Sequence, residues 1–310
     1  MTNYGFVGNQ RFGNRTAGSI VVENLSYWMN ISFLEQGAYT NISKNQLDYW
    51  GNDSSQLSQI NDGSWVDGGI YQSRFKNWVY ESGVTIPAGM SEATICSGVW
   101  IGGDFYNKDT ASGDLAFTVD YINGRVKFFT PYGPAGVYGS GSVPIKAEFS
   151  YKDIYISSDE NMPSEAVVVQ SMSNPAGSGV SYPTEKEVPF PVVIVGEKNS
   201  SWRPKQLGGF KIGVHSINCN VYADNKTDRN GICDVLAQQE NKKVPTIDWS
   251  KSETPLDEYG DINASFSGVY DAKTAYPSKD MYILSATSSK DSDKFTEGVV
   301  FYQVETDSYI

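Results

Sequence analysis

Apolar and polar residues alternate most regularly over residues 210–223. Ile212, Val214, Ser216, Asn218 and Asn220 share one parity, and Gly213, His215, Ile217, Cys219, Val221 and Ala223 share the other. Period two with β-branched residues predicts a strand. The period then changes. Ile232, Val235 and Leu236 stand at i, i+3 and i+4, which predicts a short helix over residues 228–241 with one apolar stripe. Asp224 or Thr227 supplies its cap, because a short side-chain oxygen accepts from first-turn amides. Lys242 and Lys243 close it at the negative end of the dipole, and Pro245 forbids continuation. So short a helix is marginal alone and must bury its stripe on the sheet.

Elsewhere the pattern is less regular. Residues 20–36 predict a second helix. Val21, Leu25, Trp28 and Ser32 follow one face, Ile31 and Leu34 lie beside it, and Gly37 stands where a left-handed C-terminal residue belongs. Residues 38–78 are turn-rich but anchored by Tyr39, Tyr49, Trp50, Trp65, Tyr71, Phe75 and Trp78, so they read as a packed irregular segment. Over 79–155, apolar runs at 84–86, 94–101, 116–122, 125–129 and 145–156 predict short strands. Asn123-Gly124 predicts a two-residue hairpin turn, both residues at positive φ, bringing Phe117, Val119 and Tyr121 back against Val126 and Phe128. Residues 164–172 suit a short helix or strand, and 174–179 a loop. Pro189 and Pro191 confine the run 188–195 to a sheet edge or a strand start. Residues 250–261 read as an acidic linker, with strands resuming at 262–270, 281–286 and 298–304.

The pattern as a whole predicts an α+β, β-rich fold: a mixed or antiparallel sheet with a few flanking helices and a strand-rich insertion. Residues 1–19, with Tyr4, Phe6 and Phe12 among Gly, Asn and Arg, read as an N-terminal arm that either stays mobile or, as its aromatics favour, docks on a neighbour. Residues 20–160 hold a helix and the strand-rich region. Residues 161–310 hold the sheet with its packed helix, either as a separate unit or intertwined with 20–160.

Composition sharpens this. At 310 residues the chain holds one large or two modest domains. The formal net charge of −12 disfavours sequence-independent binding of DNA by the bulk surface. Three cysteines, Cys96, Cys219 and Cys233, form no CxxC pair, and a single histidine leaves no zinc-ligand set. So sparse and odd a count fits reduced, buried thiols. Residues 1–18 lack the apolar core of a signal peptide, and no run is long enough to span a membrane. The Asn-x-Ser/Thr triplets at Asn30, Asn41 and Asn199 follow from an Asn- and Ser-rich composition.

Candidate chemistry is thin. His215 lies inside the apolar strand and is assigned a structural role. The chain has no G-x-S-x-G, no P-loop and no G-x-G-x-x-G after a strand. The spacing Asp224, Lys226, Asp228, Asn230 fails as a calcium loop, because Lys226 occupies a ligand position. Asp104, Asp109, Asp114 and Asp120 suit turns better than a glycosidase pair. No catalytic, cofactor-binding or metal residue is assigned, and no enzymatic activity or cofactor is expected.

Three further segments, Trp78-Val79-Tyr80-Glu81-Ser82-Gly83-Val84, Asp120-Tyr121-Ile122-Asn123-Gly124-Arg125-Val126 and Lys146-Ala147-Glu148-Phe149-Ser150-Tyr151, stand beside the central unit. That unit runs Leu207-Gly208-Gly209, long strand, Val221-Tyr222-Ala223-Asp224-Asn225-Lys226-Thr227-Asp228-Arg229, amphipathic helix, Val244-Pro245-Thr246-Ile247-Asp248. Together these resemble virion structural proteins of tailed bacteriophages, above all the neck and tail-terminator proteins of the head–tail junction. The resemblance implies a sheet with flanking helices that assembles as a homo-oligomeric ring, a hexamer or a dodecamer, around the DNA channel. The implied location is the virion neck or tail, after synthesis in the host bacterial cytoplasm. The implied partners are head connector and tail tube or sheath proteins, with DNA passing through the lumen and no sequence-specific nucleic acid or membrane. The helix over 228–241 leaves Asp228, Arg229, Asp234 and Gln238 off its apolar stripe, as a candidate intersubunit interface with Arg229 as the anchor. The alternative is a carbohydrate-binding module of a tail fibre or baseplate, with Trp50, Trp65 and Tyr71 stacking on sugars.

Overall fold

The computed structural model describes residues 17–60, 63, 65–82, 84–86, 88–131, 133–138, 143–158, 188–204, 211–244, 254–266, 281–289 and 297–307. The first part of the chain forms α1 (Ala17–Glu35), β1 (Tyr39–Ile42), β2 (Gln56–Ile60), β3 (Ile70–Gln72), β4 (Gly98–Ile101), β5 (Asp104–Asn107), β6 (Phe117–Asp120) and β7 (Arg125–Phe128). The short α2 (Gly133–Tyr138), β8 (Ile145–Ala147), β9 (Phe149–Lys152) and β10 (Tyr155–Ser158) follow. The remainder forms β11 (Val192–Pro204), β12 (Lys211–Tyr222), α3 (Lys226–Ala237), β13 (Lys242–Val244), β14 (Met281–Ser289) and β15 (Glu297–Asp307). The fold is α+β and β-rich, as the pattern predicts. Residues 1–16 of the expected arm, residues 164–179, the Leu207–Gly209 lead-in and the extended segment after Val244 lie outside the described residues, while Ala17, Gly18 and Ser19, assigned to the arm, begin α1. No helix among those described is long and apolar enough to cross a membrane.

A six-stranded sheet runs β10-β11-β12-β15-β14-β13. Only β10 and β11 are parallel; the other pairs are antiparallel. The long alternating stretch is β12, held between β11 and β15. Its Ile217, Cys219 and Val221 face the core together with Val193 and Val195 of β11 and Val300, Tyr302 and Val304 of β15. Two helices cover this one face. Val21, Val22, Leu25, Trp28, Met29 and Phe33 of α1, and Ile232, Cys233 and Leu236 of α3, join the same cluster. Helix α1 ends as Gly37 predicts. Gly37 takes φ +83, Ala38 N–H donates to Phe33 O (3.0 Å) and Gly37 N–H to Leu34 O (2.9 Å), which satisfies the last carbonyls. Strand β11 begins just after Pro191, so the prolines mark a strand start; β11 itself is internal to the sheet.

A second core lies under a seven-stranded sheet, β5-β4-β8-β2-β3-β7-β6, and the pair β1-β9. Trp78 stacks on Phe149 with ring centroids 4.0 Å apart, and both side chains are fully buried. Elements cross between the two halves of the chain. Helix α1, from the start of the chain, packs on β10 and β11 of the six-stranded sheet, whereas residues 254–266, from late in the chain, return to the seven-stranded one. There Asp261 accepts from Lys108 Nζ (2.9 Å), Thr118 Oγ1 (3.0 Å) and Val119 N–H (3.2 Å). That acidic stretch is therefore a docked cap, not a linker, and no strand forms at 262–266.

Four further local expectations are revised. Residues 38–78 carry three strands, because β1, β2 and β3 find partners in β9, β8 and β7 far along the chain. Residues 84–86 form no strand. The hairpin β6–β7 forms, with Val119 opposite Val126, but Asp120 pairs Arg125, so its loop has four residues, Tyr121 to Gly124. Gly124 has φ +63; Asn123 does not take positive φ. Competing bonds pull Tyr121 out of the ladder: its N–H donates to Gly260 O (3.1 Å), its carbonyl accepts from Trp78 (2.7 Å) and its hydroxyl donates to Cys96 O (2.7 Å). Lastly, α3 spans 226–237, capped by Asn225 and not by Asp224 or Thr227. The Asn225 side chain accepts from Asp228 N–H (2.9 Å) and donates to its carboxylate (2.7 Å), and Lys242 and Lys243 lie in β13.

Candidate functional site

Among the described residues, the most exposed large apolar side chains sit together on the loop between β1 and β2. Leu47 is 63%, Tyr49 92% and Trp50 81% exposed. This loop is nonetheless rigidly built, and Asp48 is its centre. One carboxylate oxygen accepts from the backbone of Trp50 (2.9 Å) and Asn52 (2.8 Å). The other accepts from Asn52 Nδ2 (3.2 Å) and forms an ion pair with Arg74 (2.6 Å). The Arg74 guanidinium, with these donors behind it, holds the Asp48 carboxyl well below the usual carboxylate range. Asp48 N–H donates to Asn52 O (2.9 Å), Gly51 N–H donates back to Asp48 O (3.0 Å), and Gly51 adopts φ +82. At the loop's base Asp53 binds Lys146 (2.6 Å) and the Ser55 hydroxyl (2.7 Å). The network fixes a turn whose tip displays two aromatic rings, set edge to face at 5.1 Å, to water.

Of the three rings expected to stack on sugars, only Trp50 is free to do so. Trp65 is half-buried, donates to Phe128 O (2.6 Å) and packs against Phe129 and Tyr259. Tyr71 is buried in the core beside Phe128. The sugar-stacking reading of these three residues is corrected accordingly.

The helix interface expected on α3 is revised in one essential. Asp228, Asp234 and Gln238 are exposed, but Arg229 is only 5% exposed. Arg229, Ile232, Cys233 and Leu236 form the buried stripe, an i, i+3, i+4, i+7 set. The Arg229 stem lies against Gly298, its Nη1 donates to Glu297 O (3.3 Å), and Nε and Nη2 reach Asn230 Oδ1 (3.1 and 3.0 Å). Arg229 therefore straps α3 to β15 and is not a surface anchor. A long aliphatic stem can lie on an apolar stripe while its head finds acceptors at the edge.

His215 is buried, as its place in the strand implies. Its Nδ1 meets Glu197 Oε1 (2.7 Å) and its Nε2 meets Thr306 Oγ1 (3.2 Å). An acid, an imidazole and a hydroxyl in line is the geometry of an activated nucleophile. Here Thr306 is itself buried and Trp202 packs edge-on to the imidazole, 6.0 Å between centroids, so the hydroxyl faces no cleft among the described residues. The Glu197 carboxylate also lies against Gly18 in the first turn of α1. The chain of contacts ties helix to sheet. The four aspartates likewise serve turns and ladders: Asp104, Asp109 and Asp114 are exposed, and Asp120 accepts from Asn123 N–H (3.1 Å) and pairs with Lys127 (2.7 Å).

Opposite its helices, the six-stranded sheet turns a second face outward. Adjacent rows across β11, β12, β15 and β14 read Asn199, Ser216, Gln303, Ser285 and Gly196, Asn218, Phe301, Thr287. β-Bulges interrupt β11 between Glu197 and Asn199 and β14 between Ile283 and Ser285, on either side of these rows. They border a groove of about 280 Å³. Sequence reading missed this face because only the pairing register brings its four strands into one surface. No known family model matches the chain, and no curated protein matches it.

Proposed function

We propose that this chain is a structural subunit of a tailed-bacteriophage virion that forms a ring at the neck or tail terminus and joins the head connector to the tail. The observation that carries the reading is the Asp48-braced loop. A chain that gains nothing from exposed aromatics does not spend a hydrogen-bond network on holding Tyr49 and Trp50 in water; a docking subunit does, because rigid aromatic anchors lose little entropy on binding. The motifs at 207–249, 78–84, 120–126 and 146–151 add the resemblance to neck and tail-terminator proteins. The mechanism is geometric. One patch of each copy meets a different patch of the next, and such head-to-tail contacts close into a ring when the rotation between copies divides the circle. The loop tip is one patch; the exposed face of α3 that carries Asp228, Asp234 and Gln238 is part of another. The net charge of −12 suits a lumen through which DNA slides without adhering.

Gold-labelled antibody raised against this chain, applied to intact virions, tests the placement. The expected result is label at the head–tail junction or tail end; label on fibres or baseplate, or none on the particle, would overturn it.

A further inference from the structure

We infer that the groove on the outward face of the six-stranded sheet is a binding site for a neutral oligosaccharide. The inference is independent of ring assembly and uses other residues. The groove is lined by Asn199, Ser216, Asn218, Thr287, Gln303 and Phe301, with Lys198 the one charged member among the described residues. Side-chain amides and hydroxyls offer both donors and acceptors, and the phenyl ring of Phe301, 39% exposed, stands among them. In the register, Asn218 and Thr287 lie directly to either side of Phe301, and Gln303 follows two residues along β15.

This chemistry narrows the ligand. A polyphosphate or nucleic acid needs several cations in register, and the described lining offers one. An apolar peptide or lipid would leave the amides without partners, each at a cost of roughly 1–3 kcal/mol. A pyranose ring satisfies both parts of the site, because its C–H face covers an aromatic ring while its hydroxyls bond the amides around it. The face continues past the groove: Tyr282, itself exposed, pairs with Glu305, which is bound to Arg203, four residues along β15 from Phe301, roughly 13 Å at the rise of a strand. A rigid sheet floor with two such rings suits an oligosaccharide better than a monosaccharide.

The test is saturation-transfer NMR and calorimetry on the full chain with maltohexaose, cellohexaose and chitohexaose as probes. At least one is expected to bind saturably. Phe301→Ala and Asn218→Ala should each weaken that binding about tenfold, a loss of about 1.4 kcal/mol, with unchanged circular dichroism, whereas Trp50→Ser should bind like the parent. Binding of none of the three would overturn the inference. So would binding that survives Phe301→Ala in a folded protein, or binding lost in Trp50→Ser instead, which would place the sugar on the loop.

Discussion

Asp48 shows how much one carboxylate organises. Its pKa is depressed in the folded chain, chiefly by Arg74. A depressed carboxylate contributes stability that is present above the unfolded value, about 3.9, and is lost as pH falls through the folded value. The loop over 43–55 is therefore expected to stay ordered below pH values at which ordinary aspartates protonate. Amide NMR shifts of Trp50 and Asn52 followed against pH should show an inflection well below that of an exposed aspartate, and Arg74→Gln should move it upward; an ordinary inflection in the parent would contradict this. The cysteines make a second residue-level case. Burial pushes the Cys96 thiol up to about 12 and raises Cys219 as well, so neither holds thiolate at neutral pH. Neither should react with Ellman's reagent until the chain is unfolded; prompt reaction of either in the native protein would show that its core opens. Sparse cysteines in apolar runs made this burial legible in the sequence.

At the level of elements, legibility followed the range of the forces involved. Strand β12 and helix α1 could be read because alternation, an apolar stripe and Gly37 are local signals. The stripe of α3 could be read only in part. Ile232 and Leu236 were correct, but an arginine at the next turn looks like surface until the strand it straps, β15, is known. This reverses an expectation. Arg229→Glu should damage folding before it damages assembly, because it removes the bonds to Glu297 and Asn230 and buries an unpaired carboxylate. A thermal or urea melt should show a loss of at least roughly 1–3 kcal/mol; a parent-like melt would return Arg229 to the surface. The Asn123-Gly124 turn was misjudged for the same reason. Tyr121 exchanges its ladder bonds for Gly260 and Trp78, partners far from it in sequence.

In the whole molecule the two cores meet at a buried ion pair. Lys152 of β9 and Glu81 lie 2.5 Å apart, both almost wholly enclosed, with Asn30 of α1 3.3 Å from the Lys152 ammonium. Removing one partner strands a buried charge, at about 3–5 kcal/mol. Lys152→Met and Glu81→Gln should each be costly, and the double variant should cost less than their sum in urea denaturation; simple additivity would mean that Lys152 and Glu81 do not stabilise one another. None of this was legible in the sequence, where Lys152 and Glu81 look like ordinary surface charges.

The central claim is that the loop carrying Tyr49 and Trp50 drives association of identical copies. Mass photometry of the parent chain and of the Tyr49→Ser/Trp50→Ser variant, beside thermal melts of both, tests it most directly. Both side chains are exposed, so the melts should coincide within about 0.5 kcal/mol. The parent should show a discrete closed oligomer and the variant only monomer. A parent that stays monomeric, or a variant that forms the same oligomer, would contradict the account.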